Sequence, residues 1–410
     1  MMEQPRFRPV FTFSLFVMAH FGHHVITAVT APMLPMIRSS FGLSYTQAGF
    51  LLSAYTVSYG VAHLVSGWLS GRVGPRLLIL VGIVGVGAAG LLAGVAGSFA
   101  VLVTAQLFMG VAGSGYHPAA IYFISRITTP ARRGRALGIH IIGGSASLFV
   151  SPLLAAAIAA AWGWRGSFIT LAIPTILLGV FLNVFLGRVS RQHDSQKGAT
   201  ADPPRTGKSV RWTPIIAFLA LTTLGGTLAA SLIGFIPLYL VDTFGVRAET
   251  AARMLAIIYS AGIWAAPLAG WLSDHMGRLS LMIIVSFIAG PAIVLMNFIL
   301  PGFGFYILLL LIGVYLFVRM PLSEAYLYGE VPSHLRSTLL GVYFFSSSLG
   351  GGAFILLLGR IVDQYGFQRA FWISGVSLFV ITVLCSAVII TSGMTSRRRR
   401  YPAERDVKKL

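Results

Sequence analysis

The sequence predicts an all-α membrane protein with twelve transmembrane helices arranged as two pseudo-symmetric six-helix bundles. Apolar residues make up 56% of the chain and charged residues only 10%, and the mean hydropathy is +0.83. A water-soluble protein with a polar surface does not reach these values. Twelve apolar stretches attain the roughly 20 residues that a helix needs to cross the hydrocarbon. Segments of the two halves also repeat at a constant offset.

The clearest repeat follows the second and the eighth apolar stretches. GWLSGRVGPR begins at Gly67, and GWLSDHMGRL begins at Gly270, 203 positions later in a chain of 410 residues. The same offset relates Arg133 to Arg336. Because 203 is about half the length, the chain is interpreted as two homologous halves that form one molecule.

The predicted spans end where proline, glycine or charged residues interrupt the apolar pattern. They are far longer than the roughly 10 residues of a barrel strand, and they lack strict alternation of apolar and polar residues. A helical bundle is therefore predicted. The expected spans are 10–37, 45–70, 77–97, 99–125, 134–161, 166–187, 213–241, 249–272, 279–299, 303–329, 335–362 and 368–391.

These spans divide the chain into four regions. Two bundles at 1–187 and 213–391 flank a linker at 188–212, and a basic tail follows at 392–410. The linker places basic residues among Asp, Ser, Gly and Pro without apolar periodicity. The arginines of the tail are expected to attract anionic lipid, worth roughly 1 kcal/mol per charge near the surface.

The net charge of +19 follows the predicted topology. Of the thirty Lys and Arg residues, twenty-three lie in the termini and the loops after even-numbered helices, six lie on the opposite side, and Arg319 lies inside a helix. Positive residues favour the cytoplasmic side, so both termini are predicted to be cytoplasmic. This distribution explains the charge without nucleic acid. We expect a multi-pass protein of the bacterial inner membrane.

Six plus six helices, a basic central loop and a Gly-x-x-x-Asp-x-x-Gly-Arg signature resemble the major facilitator superfamily. The second copy of this signature is nearly complete, whereas the first copy has Gly71 where the family has an acidic residue and Pro75 before Arg76. The resemblance covers nearly the whole chain. It implies a transporter whose two halves rock about a central cavity lined by helices 1, 4, 7 and 10.

The resemblance also implies gating residues at the predicted cytoplasmic ends of the helices. Small residues there allow close helix contact, and charged residues can pair with neighbouring helix ends in a way that breaks when the halves move. A tight turn anchored by basic residues is the alternative. The candidate gating residues are Gly67, Arg72, Gly74, Arg76, Gly270, Asp274, Gly277, Arg278, Arg133 and Arg336.

Two further patterns favour export within the family. The fifth span carries small residues and Pro152 at the spacing of the exporter signature, although its later glycines are replaced by Ser or Ala. The run His117 to Ala120 is similar to helix 4 of fosmidomycin-resistance-type drug:proton antiporters. Small-residue packing without functional meaning is the alternative interpretation of the first pattern.

Arg319 and Glu324 are charged residues within the tenth span. A charge in the hydrocarbon costs about 2.5–3.5 kcal/mol on insertion scales and usually faces a cavity or a partner. Five residues on a helix give about 7.5 Å of rise and ~140° of rotation, so the two side chains are expected to have different partners. We hypothesise that the planar guanidinium of Arg319 binds an anionic group of the cargo. A structural ion pair with Glu324 or another acid is the alternative.

The first span carries three histidines, His20, His23 and His24, which share one face of the helix at spacings of three and four. Histidine titrates near neutral pH. His23 or His117 could therefore carry a coupling proton together with Glu324. Packing, cargo contact and metal ligation stay open. No metal site is assigned, because neither Cys nor a carboxylate accompanies the histidines.

The candidate cargo site combines these polar residues with aromatic residues of the spans expected to line the cavity. The offset of 203 places Tyr116 at the position that corresponds to Arg319. Aromatic side chains can form cavity walls, or they can fill the bundle. The candidates are Arg319, Glu324, Tyr116, His117, His20, His24, Tyr55 and Tyr259.

We predict a secondary active transporter that works by alternating access and exports a small amphipathic or anionic compound with protons as the coupling ion. Uptake of an organic anion and a transport-inactive receptor on the same scaffold are the alternatives. No catalytic constellation or glycine-rich phosphate loop occurs at a usable spacing, so neither an enzyme nor a cofactor is expected. The expected partners are a small-molecule cargo, protons and membrane lipids, and the expected state is a monomer.

Overall fold

The computed structural model describes residues 9–193 and 210–392, which form helices and no strands. The helices are α1 Pro9–Thr27, α2 Thr30–Phe41, α3 Tyr45–Val73, α4 Pro75–Gly94, α5 Phe99–Gly113, α6 Tyr116–Ile127, α7 Pro130–His193, α8 Trp212–Ile233, α9 Ile236–Phe244, α10 Ala248–Met276, α11 Arg278–Leu295, α12 Phe303–Glu330 and α13 Ser333–Thr391. The predicted all-α fold is confirmed.

Ten helical stretches of the described residues are long and apolar enough to cross a membrane. Two of them, Arg132–Gly187 and Thr338–Thr391, have 56 and 54 residues, about twice the length of the others. Each of these two contains one residue with non-helical dihedral angles, Gly163 in α7 and Gly366 in α13. If each is divided at its glycine, the ten stretches become the twelve that the sequence predicts.

Three crossings are made of two helices each. The chain leaves regular helix between Thr27 and Thr30, between Gly113 and Tyr116, and between Ile233 and Ile236. Interrupted helices inside a membrane are tolerated where the freed backbone groups find partners within the protein. These breaks therefore place polar backbone groups inside the bundle.

Six glycines have positive φ, a conformation that L residues with a side chain rarely adopt. They form three pairs: Gly42 (61°) with Gly245 (65°), Gly74 (80°) with Gly277 (88°), and Gly163 (67°) with Gly366 (78°). The members of each pair stand 203 positions apart. The turns of the first half therefore recur in the second half at the offset found in the sequence.

The turns also define the two ends of the bundle. We call the end with the turns at 42, 163, 245 and 366 the outer end, and the end with the turns at 74 and 277 the inner end, following the predicted orientation. The larger core of buried apolar residues contains residues of both halves, and a smaller one contains residues of the first half only, among them Phe16, Ile79 and Tyr116.

The halves pack through α3 against α13 and through α7 against α10. Glycines make the first of these contacts close. A Cβ added to Gly49 would lie 2.7 Å from the carbonyl oxygen of Ile355, and a Cβ added to Gly60 would come within contact distance of the Ser348 side chain. Small residues at these positions let the helix backbones approach, as is common where membrane helices pack.

The predicted linker is shorter than expected at both of its ends. Helix α7 continues to His193, six residues beyond the predicted end of the first bundle, and α8 begins at Trp212. Residues 194–209 and 393–410, which include most of the predicted linker and tail, lie outside the described residues.

Replacing Gly366 by Ala should lower the thermal stability of the purified protein. An L residue in the left-handed region costs roughly 1–2 kcal/mol, and Gly366 has a φ of 78°. Gly341 lies in the same helix with no atom within 4 Å of an added Cβ and no positive φ. Melting curves in detergent should therefore show a loss for Gly366→Ala and none for Gly341→Ala. Equal melting temperatures would contradict the assigned turn.

Candidate functional site

Five histidines from three helices form one cluster in the first half, which we call the histidine cluster. It contains His20, His23 and His24 of α1, His117 of α6 and His140 of α7. The ring centroid of His20 lies 4.9 Å from that of His24, 5.0 Å from that of His117 and 4.3 Å from that of His140. The structure thus brings together the four histidines proposed from the sequence and adds a fifth.

Backbone carbonyl groups orient three of these rings. The Nδ1 atom of His20 lies 2.8 Å from the carbonyl oxygen of His140, and that of His140 lies 3.2 Å from the carbonyl oxygen of Phe16. The Nδ1 atom of His23 lies 3.3 Å from the carbonyl oxygen of Gly82. A carbonyl oxygen only accepts, so each Nδ1 carries the hydrogen and each neutral ring presents an unprotonated Nε2.

Tyr116 forms one wall of the histidine cluster. Its side chain is fully buried, and its ring stacks on that of His23 with centroids 4.9 Å apart. Its hydroxyl donates to the carbonyl oxygen of Phe16 at 3.4 Å. Tyr116 therefore presents its ring face to His23, and its hydroxyl shares the Phe16 carbonyl with the Nδ1 of His140.

In the second half, Arg319 of α12 is held by three neighbours, Thr222, Gly226 and Tyr343. We call these four residues the arginine cluster. Its Nη1 donates to the carbonyl oxygen of Thr222 at 3.0 Å and to the hydroxyl oxygen of Tyr343 at 2.9 Å. The guanidinium lies directly on Gly226, where an added Cβ would overlap it. Its Nε is buried and has no hydrogen-bond partner among the described residues.

No carboxylate of the described residues forms an ion pair with Arg319. The ion pairs found there join Arg38 to Asp242 and Arg247 to Glu249. Glu324 is partly buried on the same helix, but it is not paired with Arg319. The proposed alternative of a structural ion pair between them does not describe this structure, and the groups of the described residues that accept hydrogen bonds from Arg319 are neutral.

The two clusters occupy equivalent positions in the two halves. Arg319 corresponds to Tyr116, Gly226 to His23 and Tyr343 to His140, each at the offset of 203. In each half, the residue two positions before the proline, Tyr116 or Arg319, therefore contacts the first and the fifth membrane-spanning helix of its own bundle. The repeated backbone carries a histidine cluster on one side and an arginine cluster on the other.

The remaining candidate cargo residues, Tyr55 and Tyr259, are partly buried. The ring of Tyr55 lies 5.8 Å from that of Tyr59, and the ring of Tyr259 lies 6.4 Å from that of Phe317. Among the described residues, no ring contact joins either tyrosine to the histidine or the arginine cluster. Their role as cavity walls stays a prediction.

At the outer end, a carboxylate of one half caps a helix of the other half. Asp363 accepts from the backbone N–H of Tyr45 at 2.8 Å and from the backbone N–H of Thr46 at 2.7 Å, at the start of α3. It also accepts from the Thr46 hydroxyl. A negative charge at a helix N-terminus is stabilised by the free N–H groups and the helix dipole.

A second contact lies beside it. The Tyr45 hydroxyl donates to Asp242 at 2.8 Å, and Arg38 pairs with the same carboxylate at 3.2 Å. The Arg38 guanidinium also lies over the Tyr45 ring, 4.0 Å from its centroid. We call Arg38, Tyr45, Thr46, Asp242 and Asp363 the outer latch, because each hydrogen bond among them joins the two halves.

At the inner end, the arginines of the two signature copies bind helices of their own half. Arg76 donates from Nε to the backbone oxygen of Asn183 at 3.0 Å and to its side-chain oxygen at 2.9 Å. Arg278 donates to the backbone oxygen of Ala325 at 2.7 Å. Gly74 and Gly277 form the turns that place these arginines at the starts of α4 and α11.

The other gating candidates also lie at the inner end. Asp274 and Gly270 are exposed, and Asp274 forms no ion pair with a described residue. Arg336 lies over the Tyr328 ring at 4.1 Å, Arg133 is partly buried, and Arg72 is exposed. Gly67 lies in α3, but its surroundings are outside the described part. Between described residues, the hydrogen bonds and the ion pair that join the halves all belong to the outer latch.

Four functional residues, His140, Gly226, Tyr343 and Asp363, are not among the candidate residues predicted from the sequence. The ring of His140 stacks on that of His20. The other three contact residues of helices that are distant in sequence. Gly226 and Tyr343 contact Arg319, and Asp363 accepts from Tyr45 and Thr46. The offset of 203 would have identified His140 and Tyr343 as equivalents. No sequence signal pairs Asp363 with the start of α3.

An all-helical bundle of long apolar helices with polar clusters between them is typical of multi-pass membrane transporters. Residues 16–355 match the family model of the Major Facilitator Superfamily. The chain therefore belongs to this superfamily, as the resemblance of its motifs predicts.

Three relatives show the range of the family. A probable L-galactonate transporter of Escherichia coli is 33% identical over 36% of this chain and 32% of its own length. A probable sulfoacetate transporter of Cupriavidus necator is 28% identical over 59% of each chain. The chain thus spans less than two thirds of these relatives. The fosmidomycin resistance protein of Escherichia coli is 24% identical over 86% of this chain and 87% of its own.

A solved structure supports the fold. A bacterial homologue of the human lysosomal transporter Spinster, in an inward-facing and occupied conformation, superimposes with a TM-score of 0.73 at 17% identity. The match covers 94% of this chain and 96% of that one. At this identity the similarity concerns the fold alone.

Replacing Asp363 by Asn should open the outer end. The change removes the charge that binds the start of α3, and hydrogen bonds to a charged group are worth roughly 1.5–3 kcal/mol. Spin labels at Gly97→Cys and Leu300→Cys, in a Cys385→Ala background, would report the separation of two outer loops by dipolar spectroscopy. These positions lie outside the latch, and Leu300 is 75% exposed. The distance distribution should shift to longer values.

Glu249→Gln is the matched control for this measurement. Glu249 also lies near the outer end and is ion-paired, but its partner Arg247 belongs to the same half. The variant should keep the distribution of the parent protein. An unchanged distribution in Asp363→Asn, or the same shift in both variants, would contradict the role of the outer latch.

Proposed function

We propose that this protein is a secondary active transporter that works by alternating access and exports a small amphipathic or anionic organic compound in exchange for protons. Its family supports secondary transport, and the two clusters inside the bundle supply the chemistry. The arginine cluster is proposed to bind the cargo, together with Tyr116, His20, His24, His117, Tyr55 and Tyr259. Both termini are proposed to face the cytoplasm.

The observation that carries the proposal is the unpaired charge of Arg319. A guanidinium in a poorly solvated site requires compensation, and here the described partners are a carbonyl oxygen and a tyrosine hydroxyl. Its Nε remains without a hydrogen-bond partner among the described residues. Arginine presents donors in a planar fork that matches carboxylate, sulfonate or phosphate oxygens. An anionic group would supply the missing charge and accept the free hydrogens.

The names of the relatives are consistent with this chemistry. Sulfoacetate and L-galactonate, which name two of the relatives, are anions. The fosmidomycin resistance protein is named for a drug resistance, and export is one way to confer it. Uptake of an organic anion is the second candidate, because the first two relatives carry no sign of export in their names.

Closure of the outer latch supports the first step of export. Because the hydrogen bonds and the ion pair that join the halves between described residues lie at the outer end, cargo would enter from the inner side. The gating candidates Arg76, Arg278, Asp274, Arg133 and Arg336 would then take part in closing the inner end. In this state, Arg76 and Arg278 bind their own halves, which is the arrangement proposed for the open inner gate.

We assign the coupling proton to Glu324. It is the acidic residue inside α12, whose other acid, Glu330, ends the helix; Glu324 is partly buried, and it has no ion-pair partner among the described residues. A carboxyl group that is not neutralised by a fixed cation can exchange its proton when the cavity opens to water. The imidazoles of His23 and His117 were the other sequence candidates, and His23 is already fixed by the Gly82 carbonyl.

Replacing Arg319 by Lys should weaken cargo binding while the protein stays folded. Lysine keeps the charge but loses the fork, and a lost hydrogen bond to a charged group of about 1.5–3 kcal/mol corresponds to roughly 10- to 150-fold in affinity. Sulfoacetate, L-galactonate and fosmidomycin serve as first probes in a thermal-shift screen, since a ligand of the native state raises the melting temperature. Calorimetry then measures the affinity of the probe that binds.

Arg253→Lys is the matched control, because Arg253 is exposed on α10. It should bind the probe as the parent protein does. Cargo recognition at Arg319 would be excluded if Arg319→Lys bound the probe with unchanged affinity, or if only neutral or cationic compounds bound the parent protein.

Replacing Glu324 by Gln should abolish uphill transport and preserve exchange. Without a titrating group, the pH gradient no longer drives accumulation in proteoliposomes, whereas counterflow of labelled cargo needs no net proton movement. Glu330→Gln, at the end of the same helix, should behave like the parent protein in both assays. Proton coupling at Glu324 would be wrong if Glu324→Gln still accumulated cargo in response to a pH gradient.

A further inference from the structure

The histidine cluster contains three ligand atoms that converge from two crossings. The nearest ligand nitrogens of His20, His24 and His117 all lie within 4.8 Å of one another. His20 and His24 are one helical turn apart on α1, and His117 faces them from α6. Bonds of 2.0–2.1 Å to a tetrahedral metal ion set nitrogens about 3.3 Å apart. Small rotations of the His24 and His117 rings, which are partly exposed, would bring their nitrogens to that spacing from His20.

The hydrogen bonds around the cluster leave lone pairs available. Because the Nδ1 of His20 donates to the His140 carbonyl, its Nε2 is the free ligand atom. A ligating histidine in proteins commonly donates its other ring nitrogen to a carbonyl or a carboxylate in this way, which fixes the tautomer and orients the ring. The hydrogen bond from His20 to the His140 carbonyl thus already orients His20 as a metal ligand is oriented.

Two other histidines of the cluster also have ring nitrogens that can accept a hydrogen bond but receive none from a described residue. The Nε2 atoms of His23 and His140 are buried and have no hydrogen-bond partner among the described residues. His23 is 0% and His140 3% exposed. Buried acceptors without donors are costly. A cation bound among these rings would be attracted by the lone pairs of the unprotonated ring nitrogens.

The backbone also fits the cluster closely around His20. A Cβ added to Gly144 of α7 would lie 2.6 Å from both the Cε1 and the Nε2 of His20. Any side chain at this position would displace the ring. The ring of His140 also stacks on the His20 ring, with centroids 4.3 Å apart. His20 is therefore confined, whereas His24 and His117 are partly exposed and give an ion a route to the site.

We propose that His20, His24 and His117 bind one divalent first-row transition metal ion. Three neutral imidazole ligands suit Zn²⁺, Co²⁺, Ni²⁺ or Cu²⁺, whereas Mg²⁺ and Ca²⁺ prefer oxygen ligands. Three protein ligands leave a fourth position open to water or an anion. From the sequence, metal ligation was left open and no site was assigned, because neither Cys nor a carboxylate accompanies the histidines. The structure adds that His117 of α6 faces His20 and His24 of α1.

The test is metal binding by the full-length protein, purified with an affinity tag that contains no histidine. Calorimetry with Zn²⁺ should show one site per chain, and His24→Gln and His117→Gln should each weaken it by at least tenfold, in line with the loss of one ligand. His275→Gln is the matched control, since His275 is exposed on α10. Melting curves in a chelator show whether each variant is folded.

X-ray absorption of the Zn²⁺-loaded parent protein provides a measurement that needs no variant. Its fine structure should require about three imidazole rings at bonds of about 2.0 Å. The proposal is wrong if Zn²⁺ does not bind, if binding survives in folded His24→Gln and His117→Gln, or if oxygen or sulfur ligands account for the spectrum. Because no step involves transport, this result is independent of the fate of the proposed function.

Discussion

The polar interior of this protein depends on the guanidinium of Arg319, a charge placed in an apolar bundle without a described carboxylate partner. Placing an arginine at the centre of a membrane helix costs about 2.5–3.5 kcal/mol on insertion scales. The fold offsets part of this cost with the Thr222 carbonyl and the Tyr343 hydroxyl. Gly226 gives the planar group room, since an added Cβ would overlap it. This arrangement holds a positive charge in place and leaves it unneutralised, which is what binding of an anion requires.

The same frame carries different chemistry in the other half. The positions of Arg319, Gly226 and Tyr343 correspond to Tyr116, His23 and His140, so three helices of each bundle meet around equivalent side chains. In the second half they hold a fixed charge, and in the first half they hold neutral rings with free lone pairs. A duplicated scaffold thus supplies two polar clusters of opposite character. Rocking of the halves about the closed outer latch would change the access of both clusters to water.

Much of the fold could be predicted from the sequence, because it follows from local patterns. Apolar length gives the helices, and the offset of 203 gives the two halves and the paired glycine turns. The candidate site was predicted in part: Arg319, His20, His24 and His117 were identified as polar residues in apolar helices. His140 and Asp363 were not, because their roles arise from packing between helices, which leaves no periodic signal along the chain. The separation of Arg319 from Glu324 was predicted from helix geometry alone, since both lie on one rigid helix.

The central claim is that the charge of Arg319 is left for the cargo, and a structure of the protein with bound cargo tests it most directly. The account predicts an anionic oxygen about 2.7–2.9 Å from a guanidinium nitrogen of Arg319, with the side chain still resting on Gly226. A cargo whose anionic group lies away from Arg319, or a guanidinium that pairs with Glu324 in the cargo-bound state, would contradict it.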